Sequence, residues 1–406
     1  MVSCCARFSA KFGLDKFAAL QYKLVMVEAD PKIRKSRRAA AMPLPDQVAL
    51  VLQGGGALGS YQAGVYEALD GAGIEIDRVA GISIGAVNAA IIAGNPPEKR
   101  VAQLRKFWDR SSASLPSFPI WQNDLSRELL HLWSAGVVAT IGVPGFFSPR
   151  MLSPLLALPQ TPEALSFYDS SALAGTLDDL VDWDLLNDGP VRLAVGAVEI
   201  ESGNFHYFDT AHERIDARHI MASGALPPGL PPVEIDGKYW WDGGLVSNTP
   251  LQHVLDTQDA ACLVFQVDLF SASAAMPHTI MDVMAREKEI RFSSRTRQVS
   301  NALLKLRKER ETIRKVLGKL PKDLSDDADV KALAALAQEF PVNVVQLIYR
   351  ANAWEGGARD YEFSGRTMAE HWDAGQNDVA ASISHSELVA KNIVDGKTAA
   401  FDLTPR

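Results

Sequence analysis

The chain has 406 residues, of which 47% are hydrophobic and 22% are charged, and its formal net charge is −8. These proportions are typical of a folded globular protein and exclude fibrous and wholly disordered classes. The negative charge argues against a nucleic-acid partner, because phosphate binding depends on clustered Lys and Arg. Three cysteines without metal-ligand spacing predict neither a disulfide framework nor a zinc site, and they favour a reducing, cytoplasmic location.

Residues 1–45 are predicted to form a disordered leader, because basic residues cluster before Pro43 and Pro45 and apolar periodicity is weak. The alternative is an electrostatic contact with an anionic membrane, reached from its inner face. No stretch approaches the roughly 20 apolar residues that a membrane-spanning helix needs. Peripheral contact is therefore the form of membrane association that the sequence allows.

Residues 46–272 are predicted to form an α/β catalytic domain. The apolar run at 48–52 is typical of a buried strand, and a glycine-rich loop and a helix through Leu69 follow it. A second strand at 78–80 leads into a helix of small residues at 86–93. Strands that alternate with helices indicate a mostly parallel sheet covered on both faces.

Two later parts of this domain have other patterns. Residues 115–165 are rich in Pro, Phe and Trp, and we interpret them as an apolar insertion that forms a lid, an acyl-chain channel or a membrane-docking surface. The alternative is a buried part of the core. Residues 192–199 and 205–208 predict a hairpin, and a strand at 262–268 closes the domain near residue 272.

Residues 273–406 are predicted to form a mainly helical C-terminal extension. Apolar residues recur at helical spacing from Val299 to Leu320, and the opposite face is rich in Lys and Arg. That basic face is interpreted as a solvated surface, with contact to anionic lipid or to another subunit as the alternatives. Helices near 329–339 and 365–383 and a strand at 342–349 complete the prediction.

A Gly-x-Ser-x-Gly pentapeptide at residues 81–85 lies between the second predicted strand and the helix after it. In this setting the pattern predicts a nucleophile elbow, a sharp turn that exposes a serine hydroxyl. Ser83 is therefore the candidate nucleophile. The alternative is an ordinary strand–helix turn containing small residues.

The glycine run Gly54, Gly55 and Gly56 precedes a helix and fits two kinds of site. With Gly59 it matches the Gly-x-Gly-x-x-Gly pattern of dinucleotide-binding folds. In those folds the acidic residue ends the second strand, whereas Asp77 here begins the strand that runs into the elbow. An oxyanion hole made of main-chain N–H groups is the favoured interpretation.

Asp242 is a better candidate for the general base than any histidine of the chain. Eight histidines are present, but none lies in a glycine-framed loop after a predicted strand, and His219, the best of them, is interpreted as structural. Asp242 follows the apolar residues 239–241 and precedes Gly243 and Gly244. The alternative for this Asp-Gly pair is a type I′ hairpin turn.

Taken together, these motifs resemble the patatin-like phospholipases. The resemblance covers residues 47–257 and includes the segments at 222–227, 231–237 and 248–250. It implies a three-layer α/β/α fold, a Ser83–Asp242 catalytic dyad, an oxyanion hole at Gly54, Gly55 and Gly56, and no cofactor or metal. The implied activity is hydrolysis of lipid acyl esters through an acyl-enzyme. Hydrolysis of another acyl ester, such as a polyester or thioester, and lipid binding without catalysis are the alternatives.

Overall fold

A mostly parallel β-sheet lies at the centre of the protein. The computed structural model describes residues 42–112, 124–159, 161–337, 340–351, 355 and 357–404. Almost all of the predicted leader lies outside these described residues. Nine strands of the described chain form the central sheet, and two short strands pair separately. The strands are β1 (Gln47–Leu52), β2 (Arg78–Gly81), β3 (Ser148–Pro149), β4 (Tyr168–Asp169), β5 (Arg192–Glu199), β6 (Phe205–Asp209), β7 (Val233–Ile235), β8 (Lys238–Asp242), β9 (Cys262–Asp268), β10 (Val342–Ile348) and β11 (Ala399–Asp402).

The strand order places β1 at a reversal of the chain path. The order is β11, β10, β9, β1, β2, β5, β8, β7, and β6 also pairs with β5. β1 is parallel to β2 on one side and to β9 on the other. The predicted hairpin is confirmed, because β5 and β6 pair in antiparallel fashion. In open α/β sheets the loops at the carboxyl ends of strands beside such a reversal form the usual ligand crevice.

Helices cover both faces of the sheet, which confirms the predicted three-layer α/β/α arrangement. Leu50 and Leu52 belong to the core on one face, whereas Ala49 and Val51 pack with Leu251 on the other. This alternation explains why β1 is an uninterrupted apolar run. The helices are α1 (Gly59–Gly71), α2 (Ile84–Ala93), α3 (Pro97–Ser112), α4 (Asp124–Ile141), α5 (Ser171–Leu180), α6 (Trp183–Asp188), α7 (Ala217–Ser223), α8 (Leu251–Asp256), α9 (Ile280–Leu317), α10 (Ala328–Leu336), α11 (Gly365–Ser384) and α12 (Glu387–Val394).

The C-terminal segment contributes to the same sheet. The predicted strand at 342–349 is confirmed as β10, which pairs in parallel with β9. The predicted helices near 329–339 and 365–383 are confirmed as α10 and α11. The sequence did not predict β11 or α12. A domain boundary near residue 272 stays a prediction, and strands from both sides of it lie side by side.

Two glycines allow helices α1 and α11 to cross in close contact. A Cβ atom at Gly64 would overlap the main chain of Trp372, and one at Gly375 would overlap the carbonyl oxygen of Tyr61. We expect Gly375→Ala to lower the free energy of unfolding by ~2 kcal/mol, because overpacking outweighs the gain in helix propensity. Gly136→Ala is the control, since a Cβ there meets no neighbour. Thermal unfolding measures both, and equal stability of Gly375→Ala and the wild type would contradict the packing described.

The predicted apolar insertion divides into a buried part and an exposed part. Its residues 115–123 and 160 lie outside the described chain. Val138 and Phe147 are buried, and the Phe147 ring lies 5.1 Å from that of Tyr168. In contrast, Met151 and Leu155 are almost fully exposed. The core alternative therefore describes Val138 and Phe147, and a role of the exposed part as a lid or docking surface stays a prediction.

Helix α9 uses part of its basic face within the fold. Arg307 donates to the carbonyl oxygens of Phe340 and Leu255, whereas the exposed Lys315 pairs only with Glu311 of the same helix, at 2.6 Å, among the described contacts. The side chains of Val299 and Leu303, which were part of the predicted apolar face, are outside the described set. Contact of this helix with anionic lipid or another subunit stays a prediction. Across the described part of the chain, no helix combines the length and hydropathy needed to cross a bilayer.

Candidate active site

Ser83 lies at the tight turn between β2 and α2. Its main chain has φ 56° and ψ −122°, a strained conformation for a residue with a side chain and one typical of a nucleophile elbow. A Cβ atom at Gly81 would overlap the main chain of Gly85, and one at Gly85 would overlap the carbonyl group of Leu52. The turn therefore needs both glycines of the pentapeptide. An ordinary strand–helix turn, the alternative interpretation, does not require this geometry.

A second serine holds the elbow in place. The Ser83 N–H group lies 3.1 Å from both the carbonyl oxygen and the hydroxyl oxygen of Ser223. The Ser223 hydroxyl in turn donates to the carbonyl oxygen of Gly196 at 2.7 Å. These contacts tie the elbow to α7 and β5 and leave the Ser83 side chain half-buried at the crevice. Ser223 lay in a segment that carried the family resemblance, but its contact with the elbow could not be read from the sequence.

The register of the sheet brings Asp242 to the same level as Ser83. Gly81 is paired with Val195 across β2 and β5, and Ala197 is paired with Asp242 across β5 and β8. Ser83 lies two residues beyond Gly81, and Asp242 is paired with Ala197, which lies two residues beyond Val195. The two residues are therefore at the same level, on either side of β5. Residues separated by 159 positions in the chain therefore meet at one edge of the sheet.

The type I′ hairpin alternative for Asp242 and Gly243 is wrong. β7 and β8 form a hairpin, but its turn is at Asp236 and Gly237, which both have positive φ. Asp242 instead has φ −51° and ends β8, and a 3-10 turn, Gly243–Leu245, follows it. An Asp-Gly pair does form the hairpin turn in this region, but it is Asp236 and Gly237, six residues upstream of Asp242 and Gly243.

The Asp242 carboxyl group is buried, with 2% of its surface exposed. Burial raises its pKa to about 6, although the hydrogen bond from the Gly244 N–H group and the nearby Ser83 side chain act in the opposite direction. The Gly244 nitrogen lies 2.7 Å from one carboxyl oxygen. A carboxylate is a stronger base when its pKa is raised, so this environment suits proton transfer from a hydroxyl near neutral pH.

The glycine loop follows β1 and faces the elbow. The Gly54 N–H group donates to the carbonyl oxygen of Asn248 at 3.3 Å, and the Asn248 side-chain amide donates back to the carbonyl oxygen of Gly54 at 3.0 Å. A Cβ atom at Gly54 would lie 3.0 Å from that of Ser83. Within the described chain, no hydrogen bond engages the N–H groups of Gly55 and Gly56. These two donors, just before α1, are the ones available to an incoming anion.

A buried network of amide side chains supports the loop from below. The Gln53 side chain accepts from the Leu269 N–H group at 2.6 Å, and its main-chain carbonyl accepts from Gln62 at 2.6 Å. Asn88, on α2, donates to the Gln62 side chain at 2.9 Å and accepts from the Trp108 indole at 3.1 Å. The ends of β1 and β9 are thereby fixed to α1, α2 and α3. This network could not be predicted from the sequence, because most of its members are far apart in the chain.

The histidines and the acidic residue that were weighed as alternative site residues make structural contacts. His219 caps helix α7 by accepting from the Asp216 N–H group at 3.0 Å, so the structural interpretation is confirmed. His253 lies 2.6 Å from Asp209. Asp77, which the dinucleotide pattern required near a ribose, instead accepts from the Val48 N–H group at 2.7 Å. That bond joins β1 to the start of β2.

Comparison with known proteins identifies the family. A family model described as "Patatin-like phospholipase" matches residues 50–255, which is half of the chain and includes the glycine loop, the elbow and Asp242. The chain belongs to the patatin-like phospholipase family. A second model, described as "Patatin phospholipase", matches residues 290–393 in the C-terminal segment. The family resemblance and the fold class predicted from the sequence are therefore confirmed.

The individual relatives of this patatin-like chain either match only part of it or share little sequence identity with it. It is 59% identical over 243 residues to "Lysophospholipase nte1" of Aspergillus terreus, which covers 59% of this chain and 13% of the relative. It is 34% identical over 112 residues to "Patatin-like phospholipase domain-containing protein 6" of Mus musculus, covering 28% and 8%. The chain thus spans a small fraction of these relatives. VipD from Legionella pneumophila shares 14% identity with a TM-score of 0.33, covering 91% and 83% of the two chains.

Proposed function

We propose that this patatin-like protein is a serine hydrolase that cleaves the acyl esters of phospholipids or related lipids. The observation that carries the proposal is the sheet register, which brings Ser83 to the same level of the sheet as the buried Asp242 carboxyl group. A serine hydroxyl needs an adjacent base to become a nucleophile, and a carboxylate with a raised pKa meets that need. Family membership supports a lipid ester as the substrate.

In the proposed first step, the Ser83 oxygen attacks the ester carbonyl carbon while Asp242 accepts the hydroxyl proton. The negative charge that forms on the carbonyl oxygen is stabilised by the N–H groups of Gly55 and Gly56. Gly54 shapes the loop through its contacts with Asn248. The ester C–O bond then breaks, and Asp242 returns the proton to the alkoxide of the leaving group.

The second step frees the acid and regenerates the dyad. Asp242 takes a proton from water, and the resulting hydroxide attacks the acyl group on Ser83. The bond between the acyl carbon and the serine oxygen breaks, and Asp242 returns the proton to that oxygen. All proton transfers thus pass through one carboxyl group, which acts in turn as general base and general acid.

The test uses vesicles of mixed membrane phospholipids and the purified protein, with fatty acids and lysolipids measured by mass spectrometry. We expect release of free fatty acid by the wild type and none by Ser83→Ala. Parallel reactions with polyester and acyl thioester substrates distinguish the alternative esters. Vesicle binding without release of any acid would contradict the proposal and support lipid binding without catalysis. Equal turnover of neutral and anionic vesicles would remove the proposed peripheral contact with an anionic membrane.

The reaction is expected to depend on pH through Asp242. Because the pKa of Asp242 is raised to about 6, the carboxyl group is protonated below that pH and accepts no proton from Ser83. We expect kcat/KM to rise with pH, with half of its maximum near pH 6 and a plateau above pH 7. Initial rates of hydrolysis of a soluble short-chain ester measure the profile, and circular dichroism at each pH confirms that the protein is folded. A rate that stays constant between pH 5 and pH 8 would contradict this role.

A further inference from the structure

The glycine loop contacts a short 3-10 turn of the C-terminal segment, Arg359–Tyr361, which we call the clamp turn. Gly56 has φ +56°, and a Cβ atom there would overlap the carbonyl oxygen of Asp360. The main chain of Asp360 thus lies directly against Gly56, without an intervening side chain. Any shift of the clamp turn changes the space in which Gly56 and its N–H group are held.

Two ion pairs hold the clamp turn on helix α9. Arg359 pairs with Glu289, and these side chains are 10% and 9% exposed. Lys288, which is half-buried, pairs with the buried Asp360. Glu289 is itself held by Arg286 at 2.8 Å. The position of the turn is therefore set by a helix that lies outside the 50–255 region.

Tyr361, the last residue of the clamp turn, interacts with Lys288 of helix α9 and electrostatically with Asp242. The Lys288 ammonium group lies 4.8 Å from the centre of the Tyr361 ring, within the range of a cation–π contact. Burial raises the pKa of Tyr361 to about 12, and the charges of Asp360, Tyr168 and Asp242 add to the rise. The phenol is thus close enough to the catalytic carboxyl group to interact with it electrostatically.

We propose that the C-terminal segment completes the catalytic site, with Lys288 and Asp360 as positioning residues for the glycine loop. The inference rests on the proposed function, since it assigns Gly56 as an oxyanion donor. Lys288 and Asp360 contact no substrate in this account. Their ion pair holds the main chain of Asp360 against Gly56. The position of Gly56 in turn directs its N–H group toward the negative charge that forms during acyl transfer.

The test is the double variant Lys288→Met/Asp360→Asn, which removes both charges and leaves no unpaired charge behind. We expect kcat for ester hydrolysis to fall about tenfold, less than the ~10²-fold or more that follows loss of a whole oxyanion donor. KM should stay within about twofold of the wild type, because the lost interaction is made only in the transition state. The single variant Lys288→Arg keeps the positive charge and should retain most of the wild-type kcat.

The control is Arg291→Met, which breaks the exposed Arg291–Glu287 pair on the same helix and should leave kcat unchanged. Thermal unfolding of each variant separates loss of folded protein from loss of rate. An unchanged kcat in the double variant, or an equal fall in Arg291→Met, would overturn the inference while the proposed function stands. A wild type that hydrolyses no ester would instead overturn the proposed function.

Discussion

Ser83→Ala is expected to lower kcat for ester hydrolysis by ~10³-fold or more, because covalent catalysis is lost and only binding and the oxyanion donors remain. The folded structure should be unaffected, since the Ser83 contacts with Ser223 are made by its main-chain N–H group. KM should change little. Steady-state kinetics with a chromogenic ester, together with a thermal unfolding curve, measure these effects.

Ser111→Ala is the matched control for that experiment. Ser111 is a buried serine, 2% exposed, and its hydroxyl donates to the carbonyl oxygen of Phe107 within helix α3. The same atom is removed, but away from the elbow, so kcat should stay at the wild-type value. Comparable losses in both variants, or persistent hydrolysis by pure Ser83→Ala protein, would show that Ser83 is not the nucleophile.

Asp242→Asn is expected to abolish most activity and to stabilise the folded protein. The amide accepts no proton from Ser83, so kcat should fall by ~10³-fold. It keeps an oxygen that accepts from the Gly244 N–H group, which now lies 2.7 Å from the carboxyl group. Kinetics and urea unfolding of the same preparations measure the two effects together.

The gain in stability should depend on pH in a defined direction. The carboxyl group has an ordinary pKa of 3.8 and a folded-state pKa of about 6. Between these values the folded state binds more protons than the unfolded chain, so the free energy of unfolding falls as pH rises. The cost of the buried charge is complete above pH 6, and the difference between the two pKa values corresponds to ~3 kcal/mol. The free energy of unfolding of Asp242→Asn should therefore exceed that of the wild type most at pH 8 and should match it near pH 4.

Asp209→Asn is the control, because it is expected to lower the free energy of unfolding where Asp242→Asn raises it. Burial acts to raise the pKa of Asp209, but hydrogen bonds with His253 and Arg192 outweigh it and hold the pKa below its ordinary value. The charged form of this carboxyl group is thus favoured by folding, and Asn in its place should destabilise the protein at pH 8. Stabilisation by both substitutions, or by neither, would contradict the described environment of Asp242.

The sequence predicted the parts of the site that depend on local pattern. The elbow at Ser83 was predicted because small residues are required where a strand turns into a helix, and the crossing of main chains at Gly81 and Gly85 explains that requirement. The glycine loop and the alternation of strands and helices were predictable for similar reasons. Asp242 needed the family resemblance, since its Asp-Gly pair also fits a hairpin turn.

The rest of the site depends on contacts between distant parts of the chain. Asn248 binds Gly54 across 194 positions, and the carbonyl group of Asp360 reaches Gly56 from the C-terminal segment. Neither contact leaves a local pattern, because an amide in a loop or a main-chain carbonyl has no distinctive sequence around it. For the same reason the sequence separated residues 273–406 as an extension, although β10 pairs with β9 in the central sheet.

Labelling with a fluorophosphonate probe tests the central claim most directly, because the reagent bonds covalently to an activated serine. Peptide mass spectrometry of the labelled wild type should find one adduct, on Ser83, with none in Ser83→Ala. The rate of labelling should fall strongly in Asp242→Asn and should rise with pH through about pH 6 in the wild type. An adduct on a different residue, or labelling of Ser83→Ala at the wild-type rate, would contradict a dyad of Ser83 and Asp242.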